Sequence, residues 1–176
     1  MNIFFNSMKL PSVIWLTGLP SSGKTTIANG VVEYLSKNKT RVEHLDGDVM
    51  RKIFPQTGFS KEDRDQHIRR VGYLAAMLEK HDVTVVASFI SPYREAREFV
   101  RSQCRNFIEV YVSTPLEVCE QRDPKGLYAK ARRGEIREFT GIDDPYEEPL
   151  NPELIIDTTD QTIGESVKIV VDFISL

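Results

Sequence analysis

Val13-Ile14-Trp15-Leu16-Thr17-Gly18-Leu19-Pro20-Ser21-Ser22-Gly23-Lys24-Thr25-Thr26 carries three signals in one line. Its first five residues read as a strand buried on both faces. Gly18 to Thr25 fits G-x-x-x-x-G-K-[ST], a pattern met once in the chain. From Lys24 to Lys37 the residues Ile27, Val31, Tyr34 and Leu35 fall on one side of a helix. Strand, Gly-rich turn and helix is the context in which this pattern binds phosphate. Gly18 and Gly23 let backbone N–H groups turn inward around phosphate oxygens, and the helix N-terminus adds its positive end. Gly18 through Thr26 are therefore expected to hold ATP. Lys24 should reach the β- and γ-phosphates, and Thr25 should hold Mg²⁺.

Working outward, apolar runs alternate with helix-period segments. Arg41 to Leu45, Val83 to Ala87, Phe107 to Val112 and Leu154 to Ile156 read as further strands. Ser60 to Glu79 reads as a long helix with Ile68, Val71, Leu74, Ala75 and Leu78 on its core stripe, and Ser60-Lys-Glu-Asp63 fits a capping box. Ser91-Pro92 is expected to start another helix, with Ser91 as cap and Pro92 in the first turn. Thr114-Pro115 is expected to do the same for the next. Thr162 to Ile174 closes the chain as a helix. The expected fold is α/β, a P-loop NTPase-type three-layer sandwich with a five-stranded parallel sheet and helices on both faces. The 176 residues suit a single domain, 1–176. Residues 122–151 are rich in charge, Gly and Pro, with one short helix near Leu127 to Arg133, and read as a lid.

A formal net charge of −3 provides no basic field for nucleic acid, so any anion must be caught locally. No run of 18 apolar residues is present, which excludes a membrane helix. Met1 to Leu10 lacks the charged start and small-residue cleavage site of an export leader, and Met8 could serve as a start. Cys104 and Cys119 have no metal-ligand spacing and are expected to be buried thiols of a cytoplasmic protein.

A second constellation, Leu45-Asp46-Gly47-Asp48, falls where the second strand ends, on the side of the sheet that faces the ligand crevice. One carboxylate there can help hold Mg²⁺, the role expected of Asp46. The other can take the proton of an acceptor hydroxyl. Asp48 is expected to do so because Gly47 lets the backbone turn it inward. Arg51 and Arg64 flank this turn and the Gly58-Phe59-Ser60 loop, and arginine forks suit phosphate and sulfate oxygens. Asp123-Pro-Lys-Gly126 fits the D-x-x-G of a GTPase, but it lies after the fourth strand and no N-K-x-D guanine reader follows.

From about Val13 to Asp157 the chain resembles adenylylsulfate kinase, the family that makes 3′-phosphoadenylyl sulfate. The stretches that carry the resemblance are Trp15-Leu-Thr-Gly18, Leu45-Asp-Gly-Asp48, Gly58-Phe-Ser60 with Asp63-Arg64, Ile68-Arg-Arg70 and Ser88-Phe-Ile-Ser-Pro-Tyr93. To these add Cys119 through Tyr128, Phe139-Thr-Gly-Ile-Asp143 and Pro145-Tyr-Glu147. The resemblance implies an ATP- and Mg²⁺-dependent transfer to the ribose 3′-hydroxyl of adenylyl sulfate, in sulfate activation. It implies that Phe59 and Phe139 sandwich the adenine of that acceptor, that Arg51 and Arg64 grip its phosphosulfate, and that the backbone near Ile90 lines it. Asp48 matches the catalytic aspartate, and Lys125 with Gly126 and Leu127 would close over the substrate. Ser91 matches the position sometimes given a phosphoserine intermediate, although in-line transfer needs no covalent step and a helix-cap role suffices. The family also implies a homodimer and work alongside ATP sulfurylase. Two departures stand out. Val49 replaces the usual Asn, and Gln66-His67 replaces Glu-Asn, so His67 occupies the place of an Asn that touches the acceptor.

Two other readings remain open on the residues themselves. One is a kinase of the same fold for a different small nucleotide derivative, which Val49 and His67 keep in play. The other is a regulatory module that binds ATP without transfer, against which Lys24, Thr25, Asp46 and Asp48 stand.

Overall fold

The computed structural model describes residues 11–55 and 57–175. Met1 to Leu10, read above as no leader, lie outside the described residues. Strands β1 (Val13–Thr17), β2 (Val42–Asp46), β3 (Thr84–Ser88), β4 (Phe107–Val112) and β5 (Leu154–Ile156) form one parallel sheet in the order β2-β3-β1-β4-β5. This is the α/β architecture expected from the alternation of strands and helices. β1 lies at the centre, with Val13 beside Val85 and Phe107. Every one of its residues is buried, which is why its sequence is a run and not an alternation.

Period-2 geometry sends alternate side chains of β1 to opposite faces. Val13 and Trp15 join Val85, Ala87 and Phe89 in one core layer with Ile68, Val71, Ala75, Ala96 and Val100. Those last five come from α3 (Lys61–Lys80) and α4 (Arg94–Gln103). Ile14 and Leu16 join Val86, Val110 and Ile156 in the other layer with Ile27, Ala28, Val31 and Val170. These come from α1 (Lys24–Lys37) and α7 (Ile163–Ser175). Three short helices complete the chain: α2 (Gly47–Ile53), α5 (Leu116–Arg122) and α6 (Leu127–Arg132). Among the described residues no helix is long and apolar enough to cross a membrane.

Four local expectations need correction. Tyr34 is exposed, and Ala28 takes its place on the buried side of α1. The helix after β3 begins at Arg94 with Tyr93 at its cap, and Ser91 does not cap it. The Ser91 hydroxyl instead accepts from Trp15 Nε1 at 3.1 Å and donates to Thr17 Oγ1 at 2.9 Å. Thr114 likewise does not cap α5, because its hydroxyl turns back to Ser22 O and Thr158 Oγ1. Cys119 is buried, but Cys104 is only partly so. The capping box of α3 is present, with Asp63 N donating to Ser60 Oγ at 3.1 Å. A second one opens α7, where Glu165 N donates to Thr162 Oγ1 and Thr162 N donates to the Glu165 carboxylate.

Candidate functional site

The site opens along the C-terminal ends of β1, β2 and β3, where a doubly wound sheet presents its crevice. At the end of β1, Gly18 lies at φ 153° and a Cβ there would meet Val112 O at 2.5 Å, so only glycine fits. Gly23 caps α1 at φ 100°, and Ser21 also has positive φ. The loop folds on itself through Ser22 N donating to Leu19 O at 3.2 Å. Lys24 is buried, and its Nζ donates to Leu19 O at 2.6 Å and to Ser22 Oγ at 3.3 Å. Burial lowers its pKa to about 8, and the Cys119 thiol and Asp46 only partly offset this.

The two aspartates have opposite surroundings. Asp46 ends β2 and caps α2. Its Oδ1 accepts from Asp48 N at 2.9 Å and Val49 N at 3.4 Å. Its Oδ2 accepts from Thr25 Oγ1 at 2.9 Å and Ser88 Oγ at 3.0 Å. Burial pushes its carboxyl upward, yet the bonds from Thr25, Ser88 and the two backbone N–H groups outweigh it and hold the pKa below the usual range. Asp48 stands in the first turn of α2, its side chain 71% exposed and paired with Lys125. Gly47 does not turn it inward, contrary to expectation. Gly47 is simply the first helical residue, and Asp48 reaches out over the crevice from the same turn.

A cavity of about 360 Å³ joins these parts. Pro20, Ser21, Gly23, Lys24, Thr25 and Thr26 form its phosphate end. Asp46, Asp48, Arg51, Arg64, His67, Ile90 and Ser91 form the opposite wall, and Lys125 and Leu127 form the rim. Gly18, Leu19, Ser22, Gly126, Phe59 and Phe139, also expected at the site, are not among the residues that line it. Phe59 is 62% exposed with the Arg51 guanidinium 4.4 Å above its ring. Phe139 packs edge-on against Tyr128 at 5.0 Å. Arg51 Nη1 donates to Thr57 O and Gly58 O, both at 3.1 Å.

His67 is the anomaly in this wall. It is buried, it lies edge-on to Phe54 and Phe89, and neither ring nitrogen has a hydrogen-bond partner among the described residues. Burial first, then Arg51 and Arg70, lower its pKa to about 4, so the ring is neutral at pH 7. A buried imidazole without partners costs stability, which is tolerated where a ligand supplies the bonds.

A model of the family described as adenylylsulphate kinase matches residues 10–157. The chain belongs to the adenylylsulfate kinase family. It is 54% identical over 158 residues to an adenylyl-sulfate kinase of Synechococcus sp. (strain JA-3-3Ab), covering 89% of this chain and 90% of that one. It is 51% identical over 162 residues to one of Halothermothrix orenii, covering 92% and 88%. Among solved structures it is similar to the Mycobacterium tuberculosis APS kinase CysC in complex with AMPPNP and APS. The TM-score there is 0.90 with 40% identity, covering 94% of this chain and 98% of that one. The chain is thus an ATP-using kinase of the P-loop class.

Several residues that shape this family member's site were not singled out from sequence. Ser88 bridges Asp46 and His44, and because its proton goes to Asp46 the His44 Nε2, 3.0 Å away, must be the donor to it. Tyr128 is buried and donates to Pro20 O of the phosphate loop at 3.0 Å. Thr17 Oγ1 donates to Ile90 O at 2.7 Å and accepts from Ser91, so Tyr146 OH, 2.9 Å away, must also donate to it. Arg97 holds Ser91 O and Glu147 O at 2.6 Å each. Tyr128 and Arg97 sit on helices and Tyr146 in an irregular segment, and none of them carries a sequence signal for such a task. Each becomes visible only when elements far apart in the chain meet.

Proposed function

We propose that this chain transfers the γ-phosphoryl group of ATP to the ribose 3′-hydroxyl of adenylyl sulfate, giving 3′-phosphoadenylyl sulfate in sulfate activation. The observation that carries the reading is one cavity shared by a phosphate loop and a wall holding an exposed carboxylate, two arginines and a neutral imidazole without a partner among the described residues. The similar M. tuberculosis kinase was solved in complex with AMPPNP and APS, a nucleotide and an acceptor of the kind such a cavity suits.

In this reading Lys24 draws the β- and γ-phosphates onto the loop and offsets charge on the moving group. Thr25 and Asp46 suit Mg²⁺. Their oxygens lie 2.9 Å apart, the carboxyl is held ionised, and both are hard oxygen donors. Among the described residues no group of three or more His, Cys, Asp or Glu side chains could hold a metal ion, so phosphates and water would complete the shell. Bound there, Mg²⁺ would supply neutralisation of the phosphate oxygens. Asp46, with four hydrogen bonds to its carboxylate, is a poor base. Asp48, bonded only at Lys125 on the rim, orients the acceptor hydroxyl and receives its proton. Phe59 and Phe139 stack the adenine, and stacking on an aromatic ring contributes roughly 1–3 kcal/mol per base. Arg51 faces the phosphosulfate, and His67 donates or accepts one hydrogen bond from the acceptor nucleotide. Ser91 is no phosphoryl carrier here. The residue is 2% exposed, and its hydroxyl is engaged with Trp15 and Thr17.

Residues 122–151 act as the lid of one kinase domain and exclude water during transfer. Two free cysteines suit the reducing cytoplasm. A homodimer and a supply of adenylyl sulfate from ATP sulfurylase extend the same reading. The deciding assay follows ADP release from Mg·ATP with adenylyl sulfate, with adenylate and with no acceptor. Release that depends on adenylyl sulfate supports the reading. Equal release in all three, from protein that binds ATP, refutes it and favours the different acceptor that His67 and Val49 allow.

A further inference from the structure

Thr17 is the last residue of β1, directly before the phosphate loop, and it is fully buried. It does not line the cavity. A hydroxyl has one proton to give and two lone pairs to receive, and here all three are used. Oγ1 donates to Ile90 O at 2.7 Å. It accepts from Ser91 Oγ and from Tyr146 OH, both at 2.9 Å. Ser91 Oγ accepts in turn from Trp15 Nε1, two residues earlier on the same strand. Burial pushes the Tyr146 phenol well above its ordinary pKa, so its proton stays in place for this bond.

Three segments of the chain therefore meet on one oxygen. The first is β1, whose next residue is Gly18. The second is the 89–92 turn after β3, whose four residues all line the cavity. That turn is strained, because Ser91 lies at φ 40°, a left-handed value that side chains disfavour. Such a backbone persists only where its surroundings hold it. The third is the return leg of the 122–151 segment. Glu147 N donates to Pro92 O at 2.8 Å, and Arg94 N donates to the Glu147 carboxylate at 2.8 Å. Arg97 joins the second and third segments through Ser91 O and Glu147 O. The Thr17 hydroxyl ties both of them to β1, at the residue next to the phosphate loop.

We propose that Thr17 is a positioning residue that sets the distance between the phosphate loop and the 89–92 turn, and with it the approach of the acceptor hydroxyl to the γ-phosphoryl group. Set back from the cavity, it touches neither substrate. In-line transfer depends on reacting atoms held about 3–3.5 Å apart, and a misplacement of about 1 Å costs roughly 10² in rate. A hydroxyl shared by two walls acts on the relation between two bound substrates and not on the binding of either. The proposal rests on the reading of this cavity as a kinase site for adenylyl sulfate.

The test compares wild type with Thr17→Val, Thr17→Ser, Tyr146→Phe and the Thr17→Val/Tyr146→Phe pair. Val keeps the branched shape of Thr without the hydroxyl, and Ser keeps the hydroxyl. Steady-state kcat and KM are measured for Mg·ATP and adenylyl sulfate at a temperature where every variant is folded. Amide hydrogen exchange is followed over residues 88–94 and 146–148 in the free protein. Thr17→Val should lower kcat about tenfold, with both KM values within about twofold of wild type. Thr17→Ser should keep kcat within about threefold of wild type, since the hydroxyl makes the bonds. Tyr146→Phe should lower kcat about threefold, and the pair should be no more than about twofold slower than Thr17→Val alone, because both changes act on one oxygen. Exchange over both stretches should quicken in Thr17→Val. Should Thr17→Val not fold, Tyr146→Phe carries the comparison. A Thr17→Val enzyme with wild-type kcat, a rise in one KM with kcat unchanged, a Ser variant as slow as Val, or unchanged exchange overturns the proposal. Wild type that never turns over adenylyl sulfate removes the functional reading, and the exchange result then decides by itself whether Thr17 holds the turn.

Discussion

The two ends of the cavity are built in different ways. The phosphate end is local. Gly18 to Thr25 are contiguous, the loop closes through Ser22 N to Leu19 O, and Lys24 reaches only five residues back. The acceptor end is assembled from afar. Arg64 binds Glu138 and Thr140, Asp48 meets Lys125, and Tyr146 meets Thr17 across 129 positions. A contiguous loop performs one generic task on any nucleoside triphosphate. An assembled wall can be re-cut for a particular acceptor by changing single residues.

The sharpest break between the halves should come from single substitutions at each. Lys24→Ala is expected to lower kcat by roughly 10²–10³ with every acceptor, since it removes charge stabilisation from the transferring group. Asp48→Ala is expected to lower transfer by roughly 10²–10⁴ while ATP binding, followed by calorimetry, stays unchanged. Loss of ATP binding in Asp48→Ala would mean that the two ends are not separable.

A smaller effect sharpens the contrast at His67. Replacing a buried polar group that has no partner with an apolar one removes a cost of about 1–3 kcal/mol. His67→Leu should therefore melt higher than wild type and bind adenylyl sulfate more weakly, with ATP affinity unaffected. Because the folded pKa is about 4 and the ordinary value 6.5, the unfolded chain binds more protons between them. Stability from this group is full above pH 6.5 and is lost as pH falls toward 4. Melting curves from pH 7 to pH 4 should show a loss that is diminished in the variant. Equal slopes would remove His67 as the source.

The smallest effect concerns Lys24 in its ionisation. Phosphate needs the ammonium, and burial has brought its pKa down to about 8. Apparent ATP affinity should weaken as pH rises through that value, and binding there should take up protons. Calorimetry in two buffers of different ionisation enthalpy reads this directly. Proton release, or an affinity flat from pH 7 to 9, would contradict the assignment.

What the sequence discloses follows the same division. β1, α1, β4 and β5 fall at the residues expected, because a continuous apolar run or a strong 3.6 period fixes each of them. The α3 cap is legible because Ser60 and Asp63 are three residues apart. Ser91 and Thr114 misled because Ser/Thr-Pro is a local cap signal, and in both cases long-range hydroxyl bonds to Thr17, Ser22 and Thr158 won. Gly47 misled for the converse reason, since the Asp46 carboxylate capping α2 organises the turn without glycine's freedom. The place of Arg64 could be foreseen, but its distant partners could not, because the Glu138 carbonyl and the Thr140 hydroxyl lie 74 and 76 residues away.

The wall is expected to direct the phosphoryl group to one hydroxyl of one acceptor. Phosphorus NMR of the product formed from Mg·ATP and adenylyl sulfate tests it most directly. One new phosphomonoester on the ribose 3′-oxygen is expected for each ADP formed. ADP that accumulates without any new ester, or an ester at another position, would contradict it.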